Sequence, residues 1–98
     1  MIYKRIKGTK HYYINEYGEV RNRKTGKIIK PYENNGYLYV KIKHKDGKYR
    51  HVAIHRAVGE LFVEGKSKKR NIIDHIDGNR EKNHKDNLRW VTQQENLL

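Results

Sequence analysis

Ile72-Ile73-Asp74-His75-Ile76-Asp77-Gly78-Asn79, then Asp86-Asn87-Leu88-Arg89-Trp90-Val91, then Thr92-Gln93-Gln94-Glu95-Asn96 is the stretch on which the fold turns. Ile72-Ile73 reads as a short strand and Leu88–Val91 as a second, with a long polar loop from Asp77 to Asn87 between them. Thr92 followed three residues later by Glu95 has the capping-box pattern that starts a helix. The order is strand, loop, strand, helix. Three polar features interrupt it in a way that packing does not explain. Asp74-His75 sits directly behind the apolar pair, and Asn87 sits just before the second strand. Asn96 takes the fourth helical position, where an apolar side chain would staple onto Val91. An amide there forgoes packing, which makes sense if its oxygen has a partner.

Asp74 and Asn96 offer one anionic and one neutral hard oxygen. Such a pair suits Mg²⁺ or Mn²⁺, which keep several waters and complete their shell with a substrate phosphate. The chain has no cysteine, so a thiolate zinc site is excluded along with any disulfide framework. Hydrolysis of a phosphodiester needs a water, a base for its proton, and charge stabilisation at phosphate and leaving oxygen. His75 is the natural base, because a histidine with an ordinary pKa of about 6.5 is mostly neutral at working pH. Asn87 is expected to accept from one ring nitrogen of His75 and so present the other to water. Neighbours on a regular strand point to opposite faces, so Asp74 and His75 are expected to converge through a break in the pleat. The Asp77-Gly78 turn permits such a break.

Working towards the N-terminus, Ala53, Ile54, Ala57, Val58, Leu61 and Phe62 form one apolar helical stripe. That helix is expected to end near Glu64-Gly65, where glycine suits a left-handed cap. Tyr37–Lys43 alternates strictly, with Leu38, Val40 and Ile42 on one face. Asp46-Gly47 reads as a two-residue turn, with Lys48–Val52 returning. In that register Lys45 faces Lys48 and Lys43 faces Arg50, on a face shared with Tyr37, Tyr39 and Lys41. Like charges opposed across a ladder are destabilising unless a polyanion neutralises them. Further upstream, His11–Asn15 and Val20–Asn22 flank a turn at Glu16–Glu19. A second turn at Lys24–Lys27 leads into Ile28-Ile29, and Pro31 is expected to stop pairing.

Ninety-eight residues provide one domain, and only 35% of them are apolar, so the core must be thin. The net charge of +12 is unevenly placed: residues 1–50 carry 14 Lys and Arg against 4 Asp and Glu, residues 51–98 carry 9 against 7. All eight tyrosines lie in the first half. This pattern fits a part that grips a polyanion joined to a part with other work. No stretch approaches the ~20 apolar residues of a membrane span, so no membrane partner is expected.

With these residues in view, Asp74-His75-Ile76-Asp77-Gly78-Asn79, Asn83, Asp86–Thr92 and Glu95-Asn96 resemble the HNH motif of phage and intron homing endonucleases. Val52–Val58 resembles the helix leading into that motif, and Tyr13–Lys30 the β-rich DNA-binding segment often found upstream. The resemblance implies a ββα-metal fold with Asp74 and Asn96 as metal ligands, His75 as general base and Asn87 as its orienting partner. It also implies DNA cleavage with Mg²⁺ or Mn²⁺, one ion per site. Asn96 stands where the motif often has histidine, which weakens the case for zinc or nickel. Homing relatives often continue into a further DNA-binding segment beyond this point.

The expected fold is a single α+β domain: a small antiparallel β region (1–52), then a helix and the ββα-metal unit (53–98). Double-stranded DNA is the expected partner, held by Arg21, Arg23, Lys41, Lys43, Lys45, Lys48 and Arg50 with Tyr37 and Tyr39. One site per chain predicts nicking by a monomer, in the cytoplasm of a host cell that carries a phage- or intron-borne gene. Two other readings compete: a DNA-binding module that retains the scaffold without catalysis, and a basic RNA-binding protein, which gives Asp74 and Asn96 no role.

Overall fold

Side-chain amides shape the first turns of the chain. Asn15, almost fully buried, accepts from the amides of Tyr17 (2.9 Å) and Glu19 (3.0 Å). Asn22 accepts from those of Lys24 (2.9 Å) and Thr25 (3.2 Å). These turns join β2 (Tyr12–Asn15), β3 (Val20–Asn22) and β4 (Ile28–Ile29), and β1 (Tyr3–Arg5) adds to the free edge of β2. Ile14 and Val20 face each other across the ladder and are both buried. The computed structural model describes residues 1–97.

A second antiparallel sheet follows: β5 (Tyr32–Asn34), β6 (Tyr37–Lys43) and β7 (Tyr49–Ala53). Pro31 ends pairing only in the first sheet. The next strand begins directly after it and turns at Asn35-Gly36, whose φ angles of 53° and 85° suit a two-residue hairpin. The register of β6 on β7 differs by one residue from the sequence expectation. His44 pairs with Lys48 around a three-residue loop in which Gly47, at φ 84°, takes the left-handed position. Lys43 therefore opposes Tyr49, Lys41 opposes His51, and Arg50 opposes Ile42. The expected pairs of Lys43 with Arg50 and Lys45 with Lys48 do not form. Arg50 turns back instead onto the carboxylate of Asp46, with Nη1 2.9 Å from Oδ1.

Helix α1 (Ile54–Phe62) runs from the end of β7 and stops before Gly65. Val63 is already extended, and its carbonyl accepts the indole N–H of Trp90 at 3.0 Å. Tertiary pairing thus fixes the helix exit two residues earlier than the glycine suggests. Beyond it lie β8 (Ile72–His75), a single 3-10 turn at Lys85–Asn87, β9 (Leu88–Val91) and α2 (Gln93–Asn96). The capping box forms, with Thr92 Oγ1 accepting from Glu95 N at 3.1 Å and Glu95 Oε1 accepting from Thr92 N at 2.9 Å. The architecture is α+β. One apolar cluster joins Ile14, Val20, Val40 and Ile42 from the first two sheets to Ile54 and Val58 of α1 and to Ile73, Leu88 and Trp90.

Candidate active site and nucleic-acid face

β8 continues unbroken through both polar residues: Asp74 pairs with Arg89 and His75 with Leu88. The pleat does not break at Asp74-His75, as sequence reasoning expected, because the ladder to β9 holds it and the turn begins only at Ile76. The two residues nevertheless meet in one pocket, lined by Tyr37, Ile73, Asp74, His75, Gly78, Arg80 and Asn96. β9 covers only one edge of β8, so side chains from both faces of β8 meet around its unpaired edge.

His75 is buried, and its Nε2 lies 2.7 Å from Oδ1 of Asn83. An amide oxygen at that nitrogen assigns the ring proton to Nε2 and leaves the lone pair on Nδ1. The orienting partner is therefore Asn83, and the expectation for Asn87 is corrected. Asn87 donates to Asp77 Oδ1 (2.9 Å) and to the carbonyl of Lys82 (2.9 Å), and accepts from the amide of Asp77 (3.2 Å). It ties the two ends of the polar loop together, and the loop in turn carries Asn83. Asp77, bonded to the amide of Asn79 and the side chain of Asn87, is held below the ordinary carboxylate range.

Asn83 is only 4% exposed, and the β2–β3 turn backs it. Gly18, at φ 88°, stands so close that an added Cβ would lie 3.3 Å from Asn83 Cβ and 2.8 Å from Ile54 Cγ2. Lys85 donates its amide to Glu16 O at 2.9 Å, and its ammonium forms an ion pair with the Glu16 carboxylate at 3.3 Å. The Tyr17 and His84 rings lie 4.4 Å apart. The first sheet therefore braces the loop that orients His75. Sequence reasoning missed this role for Asn83; the available signal was an asparagine inside the motif with no turn or cap to form.

His55 packs beside the same site. Its ring centroid is 5.3 Å from that of His75 and 4.9 Å from that of Tyr37. Burial holds its pKa down to about 4, reinforced by His75 and Arg56, so it is neutral. Its Nδ1 and the Nδ2 of Asn83 are buried without partners among the described residues. Arg80 lies over Tyr37 at 4.8 Å and donates to Asn35 O at 3.1 Å, which fixes its guanidinium at the pocket rim.

The donor set fits a hydrated divalent ion. Asp74 Oδ2 is 3.0 Å from Arg89 Nε, and its second oxygen remains for other use. Asn96 is exposed on α2, facing the same pocket. Among the described residues no group of three or more His, Cys, Asp or Glu gathers as a metal cluster. One carboxylate and one amide suit an ion that takes its remaining ligands from water and phosphate, and do not form a closed protein cage.

The residues expected on DNA fall into separate groups. Tyr37, Tyr39, Lys41 and Lys43 share one open face of the second sheet with Tyr32, Tyr49 and His51. Tyr37 also lines the pocket of Asp74, His75 and Asn96, so that face and the pocket are continuous. Arg21 and Arg23 lie on the outer face of the first sheet, with Arg21 near Tyr3 and Arg23 over Tyr13 at 4.8 Å. Lys45 and Lys48 belong to the β6–β7 loop. Arg50 is on the opposite side from Lys43, paired with Asp46.

Comparison with known proteins places these features. The family model described as HNH endonuclease matches residues 52–98, and that of the NUMOD4 motif matches residues 1–43. The chain is 39% identical over 99 residues to the DNA endonuclease I-HmuI of Bacillus phage SP01, covering 99% of this chain and 56% of that protein. It is 36% identical over 93 residues to an HNH endonuclease of Acanthamoeba polyphaga mimivirus, covering 94% of this chain and 23% of the relative. The solved structure of the HNH homing endonuclease I-HmuI, which describes its DNA binding and cleavage, superposes with a TM-score of 0.88 over 99% of this chain and 56% of the other. The chain thus spans about half of one relative and about a quarter of the other.

Proposed function

Residues 52–98 belong to the HNH endonuclease family, and from that premise we propose that the chain is a metal-dependent DNA endonuclease. It hydrolyses one phosphodiester bond of a duplex and acts as a monomer that nicks. The observation that carries this reading is the convergence of Asp74, His75 and Asn96 on one open pocket. HNH endonucleases are in general divalent-metal enzymes, and Asp74 and Asn96 would hold a single Mg²⁺ or Mn²⁺ here. When bound, that ion supplies positive charge to the phosphate and to the departing sugar oxygen.

The remaining work falls to the chain's own side chains. His75 Nδ1 takes a proton from the attacking water as the new P–O bond forms and the bond to the leaving oxygen breaks. Asn83 keeps the imidazole in the tautomer that allows this. Arg80, steadied by Asn35 O and Tyr37, offers its remaining N–H groups to a phosphate oxygen. The basic tyrosine-rich face running away from Tyr37 carries the duplex by its backbone, with Tyr, Asn and Arg side chains reading some bases.

Supercoiled plasmid incubated with Mg²⁺ or Mn²⁺ tests the proposal. Wild-type protein should convert it to the relaxed, nicked form, chelator should stop conversion, and His75→Ala should bind the plasmid without relaxing it. Equal relaxation by His75→Ala, or binding without any relaxation by the wild type, removes the catalytic reading and leaves a DNA-binding module.

A further inference from the structure

A second cleft lies at the other end of β6, where the β6–β7 loop meets the β1–β2 turn. Lys45 N donates to Gly8 O at 2.9 Å, and an added Cβ on Gly8 would stand 3.0 Å from the His44 ring, so the two loops are tightly seated. The cleft they form is lined by Lys10, His11, Lys43, His44, Lys45 and Tyr49, with no carboxylate among its walls. Lys10, Lys43 and Lys45 join no ion pair among the described residues. The nearest acid in sequence, Asp46, is already taken by Arg50. Three lysines lining one cleft without a counter-charge repel one another until an anion enters.

We propose that this cleft is a second grip for a DNA backbone phosphate, built by the first sheet and the β6–β7 loop together and separate from the cutting site. The inference rests on the DNA reading above and adds a position to it. β6 runs from Tyr37 in the active-site pocket to Lys43 in the cleft, six steps of ~3.3 Å, or about 20 Å. At ~3.4 Å of rise per base pair, a duplex laid along β6 places the gripped phosphate about six base pairs from the cut. The anchor sets how far along the duplex the pocket sits, independently of base contacts.

The test is the paired variant Lys10→Gln/Lys45→Gln, both sites being exposed, with circular dichroism to verify the fold. Affinity for a fluorescein-labelled mixed-sequence duplex is measured across salt concentrations. Loss of two phosphate-facing lysines should lower the slope of log affinity against log salt by about two. An unchanged slope overturns the proposal. On a duplex with a mapped nick, neutral methylphosphonates about six base pairs away should weaken wild-type binding and leave the variant's affinity unaltered; no effect on the wild type overturns the placement. Failure of the wild type to nick at all is a different result: it removes the nuclease reading, while the salt slope still reports on the cleft.

Discussion

Asn83 has the most specific task of any side chain in the site, because one oxygen at 2.7 Å decides which nitrogen of His75 carries a proton. Asn83→Leu should lower single-turnover nicking by about 10- to 100-fold while duplex affinity stays near wild type. Asn83→Asp, which keeps an acceptor, should recover much of the rate. Nitrogen-15 histidine spectra provide the decisive reading: His75 should show the Nε2–H tautomer in the wild type and a mixture in Asn83→Leu. The same tautomer in both proteins would leave Asn83 only a packing role. His55 gives a pH prediction beside it. Its pKa near 4 in the fold lies below the ordinary value of 6.5, so between these values the unfolded chain binds the extra proton. The stability it contributes is complete above about pH 6.5 and is lost as pH falls towards 4, on the order of 1 kcal/mol after allowing for its partial exposure. His75, Arg56 and Tyr37 lie beside it and are common to both proteins compared. Melting temperature followed from neutral pH to about pH 5 should fall less in His55→Phe than in the wild type, and parallel curves would contradict the assignment.

At the scale of elements, the seam between α1 and β8 sets the height of the strand that carries Asp74 and His75. Gly59 is buried where an added Cβ would lie 2.4 Å from Ile73 Cδ1 and 2.6 Å from its Cγ1. In an exposed helix, alanine would be better than glycine by about 1 kcal/mol. Here overpacking dominates, so Gly59→Ala should destabilise the fold by about 1–3 kcal/mol, measured by urea unfolding. Gly59→Ala combined with Ile73→Ala should cost less than the sum of the two singles, and strict additivity would show that the contact is not shared. The elements legible in sequence had either a period, as in the apolar stripe of α1 and the alternation of β6, or a turn or cap signal beside them, as at β2, β3, β4, β7, β8, β9 and α2. β1 and β5 have three residues each, too few for a period, and neither was bounded by turns recognised on both sides. The turn at Asn35-Gly36 did carry a hairpin signal, but Pro31 drew the strand boundary to the wrong side of it. The one-residue register error at Asp46-Gly47 has a similar origin. Gly47 suits the second place of a two-residue loop and the third place of a longer one equally well, and only packing of Val40 and Ile42 decides. In the site, Asp74, His75 and Asn96 were legible as types and spacing. The partner of His75 was not, because Asn83 and Asn87 lie in the same polar loop, and burial distinguishes their roles only in three dimensions.

For the whole molecule, the family matches divide the chain between residues 43 and 52, but the core does not follow that division. Ile14, Val20, Val40 and Ile42, all from the first part, are essentially fully buried against Ile54, Val58 and the ββα unit of the second. The apolar fraction is too small for two cores, and a segment of residues 52–98 alone falls in the size range where chains seldom fold without a metal, disulfide or partner. The β2–β3 turn also braces Asn83 through Gly18, Glu16 and Tyr17, so removing the first sheet removes the support of His75 as well. A peptide of residues 52–98 should therefore have the far-ultraviolet circular dichroism of an unfolded chain and melt without a cooperative transition. The full chain should lose near- and far-ultraviolet signals together in a single transition. A cooperative transition in the isolated second part would show that its core suffices. The first sheets would then serve DNA binding alone, and the bracing of Asn83 would carry no energetic weight.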